Sequence, residues 1–232
     1  MAFNLAIFKT RALTAIVFAL VMLIGLLGSG WSFIILFTII HFGCWYEFVK
    51  LMKKINQRRY RYFLPLGLIY ITLPILMMID AGFENNIFTY LNGDTIALHY
   101  VYIIPCGIIF SIWINDTMAY IVGSFIGKTP FSAISPKKTL EGTVGGAVLC
   151  IAVMAAIGWW SKLLGIKDWL IIAAVCAVFG TLGDLLESKL KRMANVKDSG
   201  SLMPGHGGFL DRFDSLLIST PFVWLYVYFF VQ

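Results

Sequence analysis

The sequence contains few charged residues. Only 13% of its 232 residues are charged, whereas 59% are hydrophobic, and the mean hydropathy is +0.85. Soluble domains are roughly 45–50% apolar and about 25% charged, so this chain has too little polar surface to cover a water-soluble globule. The composition therefore excludes an ordinary soluble protein and indicates a membrane protein.

Cysteine is also scarce, and each cysteine is isolated. The sequence has no CxxC pair and no Cys/His spacing typical of a zinc site. We therefore expect neither a disulfide framework nor a zinc site, and we expect small, buried apolar side chains instead. The four cysteines lie in separate apolar runs, at Cys44, Cys106, Cys150 and Cys176.

Internal repeats, low-complexity tracts and long linkers are absent from the sequence, which argues against a repeat array or tethered domains. One segment, residues 127–129, resembles the end of a phosphate-binding P-loop. Gly123 lies one residue too close to it, and Pro130 follows where the helix of a P-loop should begin. The sequence therefore contains no Walker-type nucleotide motif.

Long apolar runs dominate the chain. About 20 apolar residues cross a bilayer as a helix, and this rule predicts an all-α, polytopic integral membrane helical bundle with about seven transmembrane helices. The first run resembles a signal peptide, but it is longer than the usual apolar core of about 7–15 residues, so we expect a retained helix. The predicted spans are approximately 12–28, 31–49, 63–79, 99–124, 143–161, 168–187 and 213–231.

The basic residues predict the orientation of these spans. Of 18 Lys and Arg residues, all but Lys162 and Lys167 fall on one side, which the positive-inside rule assigns to the cytoplasm. The segment 80–94 contains acidic residues and no basic residue, so we expect it outside. The net charge of +6 then reflects membrane orientation, and we expect no nucleic-acid partner. Contact with anionic lipid headgroups is the alternative for the basic loop 50–61.

One polar stretch, residues 188–214, interrupts the apolar sequence near its end. Its glycine-rich turn at 204–208 cannot remain helical, and the glycines free backbone N–H groups to surround an oxyanion. Asp211 and Asp214 follow on one face of the last span, and the role of His206 is left open. The stretch therefore predicts a phosphate site. Its cationic donors are Lys189, Lys191, Arg192 and Lys197.

Two other spans carry carboxylates that point to the same chemistry. Asp116 lies in the fourth span, where a carboxylate costs about 2.5 kcal/mol or more unless it is paired or faces water. A packing stripe of small and aromatic residues is the alternative interpretation there. Asp184 ends the sixth span beside Glu187, which has the i,i+4 spacing of an ion pair with Lys191. Asp184 converging on Asp211 and Asp214 predicts a magnesium–phosphate site.

A basic pair precedes the fifth span. Ser135 and Pro136 predict the N-cap and first position of a helix, which places Lys137 and Lys138 in its first turn. Cations oppose the helix dipole at that position, so a bound polyphosphate would explain them. Membrane orientation is the alternative explanation.

Together these residues resemble the phosphatidate cytidylyltransferases, also called CDP-diacylglycerol synthases. The resemblance covers roughly residues 100–215. It is carried by the polar stretch through Ser188, Lys191-Arg192, Lys197-Asp198, Pro204, His206-Gly207-Gly208 and Asp211-Arg212-Phe213-Asp214. It is carried upstream by Trp113, Asp116, Ala119, Tyr120, Gly123, residues 135–139, Glu141-Gly142, Gly183-Asp184 and Glu187.

The resemblance implies transfer of CMP from CTP to phosphatidate, which gives CDP-diacylglycerol and pyrophosphate in phospholipid biosynthesis. It implies a Mg²⁺ cofactor held by Asp184, Asp211 and Asp214, and it leaves a second, monovalent cation open. The implied catalytic residues are Asp211, Asp214, Lys197, Asp198, Lys191 and Arg192. The implied substrate-binding residues are Lys137, Lys138, Ser188, His206, Gly207, Gly208, Arg212 and Asp116.

The resemblance also implies a setting for the reaction. We expect a multi-pass protein of the bacterial inner membrane, with its site on the cytoplasmic side, in contact with membrane lipids; a homodimer is left open. We divide the chain into N-terminal membrane spans, 1–98, and a C-terminal catalytic region, 99–232, with a single domain as the alternative.

Two other functions compete with this one. The first is a CTP-dependent polyprenol or lipid kinase. The second is an anionic-solute transporter, although no paired inverted repeat supports a transporter.

Overall fold

The structure is a computed structural model, and it describes residues 5–83, 99–201 and 207–231. Within these ranges the chain forms seven successive helical segments, and its β-structure is limited to isolated bridges. The segments are α1 (Leu5–Leu27), α2 (Gly30–Ile55), α3 (Tyr60–Asp80), α4 (Ile103–Ile126), α5 (Leu140–Ser161), α6 (Ile166–Met193) and α7 (Leu210–Phe230).

Helices α2 to α7 are long and apolar enough to cross a membrane, and α1 contains a shorter apolar segment, Ala12–Leu27. Each of the seven predicted spans therefore falls on one observed helix. This confirms the prediction of an all-α, polytopic membrane bundle. Helix α6 continues beyond its predicted end at residue 187 to Met193, so the polar residues that begin the 188–214 stretch are helical.

Helix α3 is irregular in its middle. Residues Leu68–Thr72 form a π-helical turn, in which the Leu73 N–H donates to the carbonyl of Leu68. Pro74 follows immediately and has no N–H, and its ring conflicts with the carbonyl four residues earlier in a regular α-helix. The wider turn accommodates this proline within a continuous helical segment.

Small residues let the helices that carry the polar side chains approach closely. A Cβ on Gly142 would lie 2.7 Å from the carbonyl oxygen of Ala119, so α4 and α5 cross at nearly backbone contact. A Cβ on Gly183 would lie 3.0 Å from Cα of Ser215, so α6 and α7 do the same. Such small-residue contacts are typical of membrane helix pairs, because lipid provides no hydrophobic drive to hold helices together.

One apolar core extends across the described helices from both halves of the chain. It contains Phe37 and Phe48 from α2, Ile75 from α3, and Leu216 and Leu217 from α7. The core therefore joins residues on both sides of the division predicted at residue 98. All four cysteines are buried and unpaired, which confirms the interpretation of them as small apolar side chains.

The two ends of the bundle differ. At one end, aromatic side chains of α7 donate to buried or partly buried acids: Trp224 Nε1 to Asp80 at 2.7 Å, and Tyr226 to Asp168 at 2.6 Å. At the other end, α7 begins at Leu210, α6 ends, and the loop from α4 to α5 returns. The carboxylates and lysines predicted to act together lie at this second end.

The α6–α7 contact yields a test of the packing. Replacing Gly183 with Ala should lower the melting temperature in detergent, because the new methyl group meets rigid backbone of α7, and such overpacking costs about 1–3 kcal/mol. Gly180→Ala is the matched control one turn away, since a Cβ there lies 3.4 Å from its nearest neighbours. Equal melting temperatures for the two variants would contradict this account of the crossing.

Candidate active site

A cavity of about 530 Å³ opens at the end of the bundle where α6 ends and α7 begins. It lies between α4, α5, α6, α7 and the loop before α5. Polar side chains from four separate parts of the sequence converge on it. The hydroxyl and amide groups around it include Asn115, Ser135, Thr139 and Thr181. The charged residues that line it are Asp116, Lys137, Lys138, Asp184, Asp211 and Asp214.

Three carboxylates meet at one edge of this cavity. Ligand oxygens of Asp184, Glu187 and Asp214 all lie within 4.8 Å of one another. Glu187 is fully buried, and within the described residues neither of its carboxylate oxygens has a hydrogen bond of regular geometry. The Lys191 ammonium lies 2.5 Å from one of these oxygens and supplies positive charge. Carboxylates gathered so closely suit a hard cation with oxygen ligands.

This cluster differs from the predicted metal ligands in one residue, because it contains Glu187 where the prediction has Asp211. The spacing of Glu187 and Lys191 predicted an i,i+4 ion pair, and the structure contains that pair. The same carboxylate also faces Asp184 and Asp214. Sequence spacing alone does not reveal this second contact, because it depends on the crossing of α6 and α7.

Asp211 lies on the cavity wall but has a different set of partners. Its Oδ1 accepts a hydrogen bond from Lys191 Nζ at 2.6 Å. Its Oδ2 accepts from the backbone N–H groups of Gly208 at 2.8 Å and Ser199 at 2.9 Å, and it lies 2.9 Å from the Ser199 hydroxyl. Asp211 is therefore oriented by two turns of the polar stretch, one at 199–200 and one at 208–210.

The glycines of the polar stretch have a local role in this arrangement. Gly207 has φ of 80°, and a Cβ there would lie 2.6 Å from the Asp211 carboxylate. Only glycine adopts this conformation without strain. The sequence predicts that the Gly208 N–H faces the oxyanion of a bound phosphate. In the structure this N–H donates to the Asp211 carboxylate. His206 lies in 202–206, outside the described residues.

The predicted helix start at Ser135 and Pro136 is wrong. Lys138 N–H donates to the Ser135 carbonyl at 3.1 Å, which makes residues 135–138 a turn with Pro136 at a position that proline also favours. Helix α5 begins after Thr139, whose hydroxyl accepts from the Gly142 N–H at 3.1 Å. The N-cap is therefore Thr139, four residues after the predicted N-cap at Ser135.

This turn nevertheless brings both lysines to the cavity. Lys138 forms an ion pair with Asp184, and Lys137 is exposed on the same turn. The Glu141 carboxylate fixes the loop, because it accepts from the Lys128 N–H at 3.1 Å and the Thr129 hydroxyl at 2.8 Å. Both lysines therefore lie on a loop that Glu141 holds in place, and not in the first turn of α5.

The remaining predicted residues do not line the cavity. Ser188 is buried, and its hydroxyl lies 3.4 Å from Oδ1 of Asp184. The others are exposed and are not among the residues that line the cavity: Arg192, Lys197, Asp198 and Arg212.

Sequence reasoning missed two polar residues at this end. Glu47 on α2 is 2% exposed, and it accepts from the Ser199 hydroxyl at 2.7 Å and the Leu210 N–H at 2.9 Å. A carboxylate within a predicted apolar span was the available signal, and it is the same signal that identified Asp116. Ser199 lies in the polar stretch but belongs to none of the motifs that were singled out.

Comparison with known proteins places this site in a family. Residues 97–230, more than half of the chain, match a family described as the cytidylyltransferase family. The matched region contains α4 to α7 and therefore every residue that lines the cavity.

Curated relatives come from bacteria and plants. The phosphatidate cytidylyltransferase of Bacillus subtilis (strain 168) is 46% identical over 136 residues, which are 57% of this chain and 49% of that protein. The chloroplastic phosphatidate cytidylyltransferase 5 of Arabidopsis thaliana is 40% identical over 165 residues, 68% of this chain and 39% of that protein. The Synechocystis phosphatidate cytidylyltransferase is 46% identical over 123 residues, 50% of this chain and 40% of that protein.

The chain spans about half the length of these curated relatives or less. The region matched by the family, residues 97–230, contains the acid cluster, the two cavity lysines and the polar stretch. On the match of residues 97–230, the chain belongs to the cytidylyltransferase family.

Proposed function

We propose that the protein transfers CMP from CTP to phosphatidate, giving CDP-diacylglycerol and pyrophosphate. The observation that carries this proposal is the cavity itself, where carboxylates and lysines converge at one end of membrane-spanning helices. A nucleotide can reach such a site from water, and a lipid phosphate can reach it from the bilayer. The shared name of the relatives supports the same reaction.

The lipid substrate supplies its own nucleophile in this reaction. A phosphate monoester has a second pKa of about 6, so phosphatidate is largely ionised at neutral pH. Its oxygen attacks the α-phosphorus of CTP, a new P–O bond forms, and the bond to the pyrophosphate group breaks. The protein then has to align the two phosphates and stabilise charge, and it needs no strong base.

The lysines at the cavity are suited to hold the phosphates. Lys138 contacts the acid cluster through Asp184, and its flexible side chain allows the ammonium to turn to an incoming phosphate. Lys137 follows on the same turn and also lines the cavity. Lys191 is occupied by Glu187 and Asp211, so we assign it to fixing these carboxylates and not to direct phosphate contact.

The acid cluster fits a bound Mg²⁺ ion. Mg²⁺ prefers carboxylate oxygens, and the buried oxygens of Glu187 lack hydrogen bonds of regular geometry within the described residues. Asp184, Glu187 and Asp214 would hold the ion, with Asp211 oriented beside them by Lys191. When bound, the ion offsets negative charge on the reacting phosphates.

The lipid-facing side of the cavity supports entry of phosphatidate from the bilayer. Tyr120 and Ser124 of α4 line the cavity, and Tyr120 is 78% exposed. Because α4 crosses the membrane, a lipid headgroup at its end can reach the cavity laterally while the acyl chains remain in the bilayer. The clustering of Lys and Arg in the loops at this end leads us to place the site on the cytoplasmic side of a bacterial inner membrane.

The reaction itself gives the first test. Purified protein in detergent, supplied with phosphatidate, CTP and Mg²⁺, should form CDP-diacylglycerol and pyrophosphate in equal amounts, and EDTA should stop both. Release of CDP together with a newly phosphorylated lipid would identify a kinase and overturn the proposal. Absence of both products from folded protein would do the same.

A second test separates the roles of the carboxylates. Glu187→Gln should weaken Mn²⁺ binding, measured by electron paramagnetic resonance, by at least about 10-fold, because it removes a ligand and not merely an outer-shell partner. Asp211→Asn should lose turnover while retaining more of the metal affinity, since Asp211 is bonded to Lys191 and the two turns.

The control for both variants is Asp168→Asn, which changes a carboxylate at the opposite end of the bundle. It should leave Mn²⁺ binding unchanged. The assignment of the cluster fails if Glu187→Gln binds Mn²⁺ like the parent protein, or if Asp211→Asn loses affinity more severely than Glu187→Gln.

A further inference from the structure

Glu47 is a buried carboxylate that the proposed reaction does not use. It lies on α2, outside the family match at residues 97–230, and it does not line the cavity. Its side chain nevertheless reaches the polar stretch, where it accepts hydrogen bonds from the Ser199 hydroxyl and the Leu210 N–H. A carboxylate at 2% exposure in an apolar bundle is costly unless its position provides such partners.

The contact with Leu210 completes the start of helix α7. The first N–H groups of a helix have no partner within the helix and are usually capped by a polar side chain at the N-cap. The N-cap of α7 is Phe209, which makes no side-chain cap. Glu47 supplies the missing acceptor from α2, at the helix end where the dipole favours an anion.

Glycines allow α2 and the two turns to approach each other closely. A Cβ on Gly200 or on Gly208 would collide with the Glu47 carboxylate. One turn earlier on α2, a Cβ on Gly43 would lie 2.5 Å from the ring of Phe209. Helix α2 therefore packs against both turns, one on each side of residues 202–206, with its carboxylate enclosed between two glycines.

The same two turns orient Asp211. Ser199 and Gly208 donate their backbone N–H groups to the Asp211 carboxylate. The Ser199 hydroxyl lies 2.7 Å from Glu47 and 2.9 Å from Asp211, and its single hydrogen can serve only one of them at a time. A displacement of Glu47 would therefore move the groups that fix Asp211.

We propose that Glu47 is a positioning residue for the active site: it caps α7 from α2 and holds the turns at 199–200 and 208–210, which set the orientation of Asp211. It does not line the cavity, so it acts through these turns. The proposal rests on the proposed cytidylyl transfer for its effect on activity, whereas its effect on the turns is independent of that reaction.

The test compares Glu47→Gln and Glu47→Ala with Asp80→Asn. Asp80 is the matched control, because it is also a buried carboxylate of the N-terminal half that bonds α7, but at the opposite end. Turnover is measured per folded protein, with separate kcat and KM for CTP, and amide hydrogen exchange is measured in peptides covering 196–213.

We expect Glu47→Ala to lower kcat by about 100-fold, as a displacement of about 1 Å can do, with a much smaller change in KM. Amide exchange in 196–201 and 207–213 should become faster. Glu47→Gln, which has nearly the same volume and keeps one acceptor oxygen, should show smaller changes in the same direction. Asp80→Asn should leave kcat per folded protein and exchange in these peptides unchanged.

The outcomes distinguish this proposal from the proposed function. If the parent protein forms no CDP-diacylglycerol, the proposed function fails, and the exchange data alone decide the role of Glu47. Unchanged exchange and unchanged kcat in Glu47→Ala would overturn the positioning role. So would a loss of activity that Asp80→Asn reproduces, or a failure of both Glu47 variants to fold, since Glu47 would then contribute only stability.

Discussion

The repulsion between carboxylates held close together in an apolar bundle is the constraint on which this structure depends. Asp184, Glu187 and Asp214 share a space in which charged groups interact strongly, because little water separates them. Lys191 and Lys138 reduce this repulsion by pairing with members of the group. The loop before α5 supplies Lys138 and the end of α6 supplies Lys191, so both segments bring positive charge to the cluster.

Close helix packing makes the cluster possible. Gly183 allows α6 to approach α7 at backbone contact, and Gly142 allows α5 to approach α4. These approaches bring acids from distant parts of the sequence to one cavity. The same glycines therefore serve the fold and the site, so a larger residue at either position would separate the functional groups as well as weaken the packing.

Much of the fold could be predicted from sequence, because the bilayer demands long apolar helices and each span carries that pattern by itself. The polar stretch was likewise visible, since its charges contrast with their surroundings. The start of α5 was not predicted correctly, because proline suits both a first helical position and a turn. The contacts of Glu187 and Glu47 depend on how helices cross, and no local spacing encodes that. Glu47 in particular meets Leu210 across 163 residues.

That separation has a consequence for assembly. Helix α2 is synthesised long before α7, and chains generally acquire structure from the N-terminus as they are made. Gly43 and Glu47 therefore leave the ribosome before the residues that pack on them. The contacts of Ser199 and Leu210 with Glu47 can therefore form only late in synthesis, against a helix that has already been made.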